Sequence, residues 1–218
     1  MSQPRNPAPP ATMVASYERP FVPFAFDVLI STIFIPFGGI QKLRSDALDR
    51  IGVKSGTRVL ELACGTGGIT KLLLERGAEV TAIDGSENML ARARKHAPGA
   101  KFAQSPLEDF EPTDRFDVVL FAFVLHELPK DLRVRVLNAG RRALMPEGTL
   151  AVLDHAVPKT GTLARVWRSF LLKLEPPTVR DCIEAGYDEE LRDAGLNVIS
   201  RHELAGGTAA LTLARVVS

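Results

Sequence analysis

The residues whose types and spacing suit chemistry fall in a few short stretches. The first is Val59-Leu60-Glu61-Leu62-Ala63-Cys64-Gly65-Thr66-Gly67-Gly68, in which an apolar β-branched run passes directly into glycines. Glycine belongs where a backbone must approach a ligand closely or adopt dihedrals that a side chain disfavours. The helix that should follow offers unpaired N–H groups and the positive end of its dipole. The second stretch is Ala82-Ile83-Asp84-Gly85-Ser86. Its Asp84 ends an apolar run about 20 residues beyond the loop, where a carboxylate can accept both hydroxyls of a ribose. Such a loop alone is common to several nucleotide-binding sheets, but loop and acidic strand end together indicate an adenosine-type ligand. The plainer alternative for Asp84 is a helix-capping aspartate. The third set is Ala122-Phe123-Val124-Leu125-His126-Glu127 with Asp154-His155. An imidazole titrates near neutral pH, so His126 is the leading candidate general base and His155 the second. Against them stand a histidine that hydrogen-bonds a loop or substrate without moving a proton, and a surface loop residue. Glu127 reads as the cap of the following turn. Cys64 and Cys182 are the only cysteines and lack any paired metal-ligand spacing, so neither a disulfide framework nor a metal is expected.

These residues need a scaffold that brings strand ends together. From Thr57 onward, short β-branched runs alternate with amphipathic stretches, the pattern of a parallel sheet with crossover helices. Strands are predicted at Arg58–Leu62, Glu79–Ile83, Lys101–Ala103, Phe116–Phe123 and Thr149–Asp154. Helices are predicted at Gly68–Glu75, Ser86–Lys95 with Ser86 as N-cap, and Leu132–Leu144, and Met145–Gly148 reads as a turn. A helical region over Thr162–Leu174, a Pro176-Pro177 break and helices near Val179–Glu184 and Tyr187–Ala194 come next. Asn197–Leu204 and Ala209–Val217, joined through Gly206-Gly207, read as an antiparallel hairpin at the sheet edge. In an open α/β sheet, ligands lie outside the carboxyl ends of the strands, where all three stretches fall.

The 218 residues suffice for one large domain, and 45% hydrophobic content supplies its core. With 27 basic and 26 acidic side chains the net charge is +1, which offers no excess for a phosphate backbone, so no nucleic-acid partner is expected. Low cysteine use fits a cytoplasmic compartment. Residues 1–15 read as a disordered tail without the features of a secretory signal. The apolar stretch Phe21–Gly39 is broken by Pro23 and Pro36 and carries Asp27, which leaves it short of the roughly 20 residues of a membrane span. A helix over Phe24–Phe34 and another over Gln41–Ile51, stopped by Gly52, form an N-terminal helical segment at 16–52. The main domain occupies 53–218, with 160–195 as a helical insertion on the substrate side.

At this point the motifs resemble a family. Glu61-Leu62-Ala63-Cys64-Gly65-Thr66-Gly67 is similar to the first motif of class I S-adenosylmethionine-dependent methyltransferases, and Val80–Leu90 to the second. Phe116-Asp117-Val118-Val119-Leu120 resembles the fourth strand. Ala143–Leu150 resembles the Leu-x-Pro-Gly-Gly turn, with Glu147 in a glycine position. The resemblance covers about Thr57 to Asp154. It implies an α/β fold, a Rossmann-like doubly wound, mostly parallel sheet with a C-terminal antiparallel hairpin and N-terminal lid helices. The implied cofactor is S-adenosyl-L-methionine, with S-adenosyl-L-homocysteine as product. Carried over by position, Glu61 steadies the loop or the cofactor's amino end, the Ala63 to Gly67 backbone (Ala63, Cys64, Gly65, Thr66, Gly67) lies along the methionine part, and Asp84 holds the ribose. Met89 packs near adenine beside Gly85. The acidic residue that many members place after strand three is missing from its usual place, and Ser105, Pro106 or Leu107 stands in. Ala122 and Phe123 complete the cofactor shell. Tyr17 and Phe26-Asp27 resemble the aromatic segment that precedes the domain in quinone and phospholipid methyltransferases. That segment, with Trp167 and Phe170, serves as an apolar lid for a small lipophilic acceptor (quinone, phospholipid amine, phenol or amine), as a peripheral membrane contact, or as simple packing. A monomer or homodimer is expected. The rival readings are an NAD(P)-dependent oxidoreductase, disfavoured because its fingerprint wants glycine at Ala63, and a non-catalytic nucleotide-binding scaffold.

Overall fold

The computed structural model describes residues 31–217. The tail at 1–15, Tyr17, Phe21, Phe24, Phe26 and most of the Phe24–Phe34 helix lie outside the described residues.

Helix α1 (Ile40–Ile51) leads into alternating strands and helices: β1 (Arg58–Leu62), α2 (Gly68–Glu75), β2 (Glu79–Asp84), α3 (Glu87–His96), β3 (Lys101–Gln104), β4 (Phe116–Ala122), α4 (Lys130–Arg142) and β5 (Leu144–His155). Then come α5 (Gly161–Leu174), α6 (Val179–Ala185), α7 (Asp188–Asp193), β6 (Leu196–Leu204) and β7 (Ala209–Val216). The strands form one seven-stranded sheet in the order β3-β2-β1-β4-β5-β7-β6. Neighbours from β3 to β5 pair in parallel, whereas β7 pairs antiparallel with both β5 and β6. The chain winds outward from β1 on one side and from β4 on the other. A crevice therefore opens at their carboxyl ends, the switch point at which such sheets bind ligands.

Apolar patterning explains the layering. In β4, Val118 to Phe121 are all buried because helices cover both faces of the central strand. One face packs Leu43 of α1, Leu73 of α2, Leu90 of α3 and Leu171 of α5. The other packs Leu137 of α4, Cys182 of α6 and Leu191 of α7. Gly52 ends α1 in the left-handed region at φ 80°, and Ser86 caps α3 by accepting from the Met89 N–H at 3.3 Å.

One segment departs from expectation. Met145–Gly148, read as a turn, lies inside the extended run of β5. Phe116 pairs with Leu144 and Val118 with Thr149, so two steps along β4 match five along β5 and the surplus residues bulge. Gly148 makes this tight excursion feasible, since a Cβ there would come within 3.0 Å of the carbonyl oxygens of Met145 and Phe116.

Candidate active site

The turn after β1 carries the left-handed conformations that its composition suggested: φ is 54° at Gly65 and 80° at Gly67. Ala63 adopts 62° without being glycine, a strain that persists where surrounding structure fixes it. The Cys64 N–H donates to the Ile83 carbonyl at 3.0 Å, tying the turn to β2. Asp84 then reaches across: one carboxylate oxygen accepts from the Gly65 N–H at 2.8 Å and the other from the Ser86 N–H at 2.9 Å. Turn and carboxylate border one cavity at the switch point.

Of the residues expected around a cofactor, Glu61, Ala63, Cys64, Gly65, Asp84, Gly85, Met89, Pro106, Leu107, Ala122 and Phe123 line this cavity. Gly67 does not. A Cβ there would lie 3.0 Å from the Ala93 Cα, so its glycine serves the packing of the turn against α3. Ser105 also stays outside the lining: its N–H donates to the Asp84 carbonyl at 3.1 Å and its hydroxyl to the Pro106 carbonyl, which makes it a tie between β2 and β3. Thr66, within the expected Ala63 to Gly67 backbone, also lines it, whereas sequence reasoning missed Arg44, Glu108 and Val124 and assigned Glu127 a capping role, yet all four line the cavity. Glu108 is an acid beyond β3, brought to the cavity by the short 3-10 turn Leu107–Asp109. Arg44 comes from α1 and stands over Gly68, where a Cβ would collide with its guanidinium.

Buried Glu61 accepts a 2.6 Å hydrogen bond from the Thr70 hydroxyl. Burial raises its pKa to about 7, against the lowering influence of Thr70 and Arg44. Burial likewise pushes the Cys64 thiol up, which makes it an inert wall.

His126 and His155 require a correction: neither lines the cavity. Both are buried in an adjoining cluster, where His126 Nδ1 lies 2.6 Å from Asp154 and Nε2 lies 3.3 Å from Glu175. Burial lowers the His126 pKa, but the Asp154 and Glu175 carboxylates outweigh it and hold the ring at about 10. An imidazole held protonated between two carboxylates has no lone pair to act as a base at neutral pH. Asp154 is fixed further by the Tyr187 hydroxyl at 2.7 Å and the His155 N–H at 2.8 Å, and its pKa is lowered because His126 outweighs burial. His155 Nε2 lies 3.4 Å from the other Glu175 oxygen, and its ring packs 5.1 Å from Phe123.

A family profile described as a methyltransferase domain matches residues 59–148. An uncharacterized methyltransferase of Synechocystis sp. is 29% identical over 201 residues, covering 92% of this chain and 93% of that protein. The ubiquinone biosynthesis O-methyltransferase of Pseudomonas paraeruginosa is 31% identical over 176 residues, covering 76% and 75%. Among solved structures, the magnesium protoporphyrin IX methyltransferase of Synechocystis, with S-adenosylhomocysteine bound, aligns at a TM-score of 0.63 with 20% identity over 81% of this chain and 87% of its own.

Proposed function

Because the chain belongs to the class I S-adenosylmethionine-dependent methyltransferases, we propose that it methylates a small lipophilic acceptor of the quinol or phenol kind. It is a small-molecule methyltransferase whose cofactor is S-adenosyl-L-methionine, which sets aside the oxidoreductase and scaffold readings.

The cavity suits that cofactor. The Asp84 carboxylate, held by the Gly65 and Ser86 N–H groups, lines the cavity where a ribose would meet it, while Met89 and Leu107 offer apolar walls to a purine. Glu61 would meet the ammonium end. The bond between Asp84 and the Gly65 N–H is the observation that carries this reading, because it sets the ribose-binding carboxylate against the glycine turn in one cavity.

When bound, the sulfonium supplies an activated methyl group, so the protein mainly aligns the acceptor for in-line attack. Phe123, Val124, Leu128, Pro129 and Leu132 form an apolar wall beyond β4, which favours an aromatic or lipophilic acceptor over a hydrophilic amine. The relative named for ubiquinone biosynthesis points the same way. Glu127, on that wall, is placed to take a phenolic proton. The described part of the N-terminal segment reaches the cavity through Arg44 of α1, which supports a role for it in covering the site. No helix among the described residues is long and apolar enough to cross a membrane.

Transfer of labelled methyl from S-adenosylmethionine into quinols, phenols, phospholipid amines and hydrophilic amines tests the acceptor class. Quinols or phenols should be labelled fastest. Labelling confined to hydrophilic amines would overturn the proposal.

A further inference from the structure

Beside the cofactor cavity, three side chains distant in sequence converge: His126 after β4, His155 at the end of β5 and Glu175 after α5. Their donor atoms all lie within 4.8 Å of one another. We propose that they form a site for one divalent transition-metal ion of the zinc type, with a coordination position left for water. The site goes beyond the cofactor reading and does not depend on it.

Spacing supports the assignment. His126 Nε2 lies 3.3 Å from one Glu175 oxygen, and His155 Nε2 lies 3.4 Å from the other. Two ligands on tetrahedral zinc, with bonds of about 2.0 to 2.1 Å, stand roughly 3.3 to 3.4 Å apart. Two imidazoles and a carboxylate are also a donor set that catalytic zinc sites use while keeping one position open.

The surroundings support it as well. Asp154 lies 2.6 Å from His126 Nδ1, and Tyr187 and the His155 backbone hold that carboxylate in place. A carboxylate accepting from the far nitrogen of a histidine fixes the tautomer that presents Nε2 to a metal. Both ring nitrogens of His126 face carboxylate oxygens, an arrangement satisfied by a proton on Nε2 or by a metal ion in its place. The ion would replace the proton on Nε2 and leave the bond to Asp154 intact.

Location suggests a use. The His155 ring packs 5.1 Å from Phe123, which lines the cofactor cavity and is held at φ 53°, a strained conformation for a phenylalanine. An ion in the cluster would sit directly behind that residue and near the acceptor wall. Glu175, a quarter exposed, leaves a way in from solvent. Sequence spacing hides the site, because its ligands are 29 and 20 residues apart and belong to three elements.

The test uses untagged full-length protein stripped with chelator. Zinc binding is followed by calorimetry, and cobalt substitution by its visible absorption. The proposal predicts one ion per chain, an intense tetrahedral cobalt spectrum, and zinc affinity at least tenfold weaker in Glu175→Gln or His155→Ala. Asp154→Asn, which weakens the hydrogen bond that orients His126, should weaken binding about 10- to 100-fold. Each variant is titrated with S-adenosylhomocysteine in parallel, so loss of zinc with retained cofactor binding separates a lost site from a lost fold. No zinc binding to the wild type, or binding unchanged in both Glu175→Gln and His155→Ala, would overturn the site and leave His126 as a protonated bridge between carboxylates.

Discussion

Glu61 couples the cavity to pH. Its folded-state pKa of about 7 lies above its ordinary 4.5, so the folded chain holds this proton more tightly than the unfolded one. Its contribution to stability is present at low pH and is lost as pH rises from about 4.5 to 7, a change on the order of 3 kcal/mol. A cofactor ammonium favours the ionised carboxylate instead. Affinity for S-adenosylmethionine should therefore fall as pH drops below 7, by up to about tenfold per unit, and Glu61→Gln should flatten that slope. Calorimetry between pH 5.5 and 8 reads both, and a flat wild-type profile would remove Glu61 from the ammonium site. For Glu127, placed on the acceptor wall, Glu127→Gln should lower turnover of a phenolic acceptor by about 10²-fold or more with cofactor affinity kept. Unchanged turnover would dismiss it as the base. At this scale the sequence was only partly readable. Asp84 and the glycine turn are a local signature, whereas Arg44, Glu108 and Glu127 reach the cavity through a helix packing and two short turns that carry no spacing rule. The histidines misled because position after a strand says nothing about which side of the loop a ring takes.

Elements show where glycine and buried charge matter. Gly67 combines φ of 80° with contact against Ala93, whereas Gly65, at φ 54°, has open space where a Cβ would project. Gly67→Ala should destabilise the fold by about 1 to 3 kcal/mol, and Gly65→Ala by less while weakening the cofactor more. Paired thermal melts and titrations check this, and equal stability losses would contradict the division of labour. Arg133 is buried in α4, pairs with Glu190 of α7 at 2.9 Å, and donates to the carbonyls of Leu125, Leu128 and Thr178. It thus clamps the loop after β4 to the α6–α7 region. Arg133→Met strands a buried carboxylate and should cost about 3 to 5 kcal/mol in urea unfolding, with Arg133→Met/Glu190→Leu recovering part of it. A single-variant loss under about 1 kcal/mol would show the clamp to be idle. Periodicity placed β1 and α2 at their observed bounds because strict local patterns define them. It misread Met145–Gly148, where Pro and Gly signalled a turn but pairing with β4 on either side kept the chain extended.

The whole molecule is a switch-point crevice closed by helices on both faces, and its topology follows from alternating patterning together with the terminal hairpin. What no local pattern could disclose is the second polar centre beside the crevice, assembled from the ends of β4, β5 and α5. Ligand binding ties these levels together, since a cofactor that binds only the folded state stabilises it by about 2.7 kcal/mol at a hundred times its Kd. The account turns on whether the Asp84 carboxylate and the Gly65 turn grip that cofactor together. Calorimetric titration of S-adenosylhomocysteine into the wild type and Asp84→Asn decides it most directly. One equivalent should bind the wild type, and Asp84→Asn should bind at least about tenfold more weakly while still giving a cooperative melt without ligand, lowered by the loss of one backbone bond. Equal affinity in the two proteins would contradict the account.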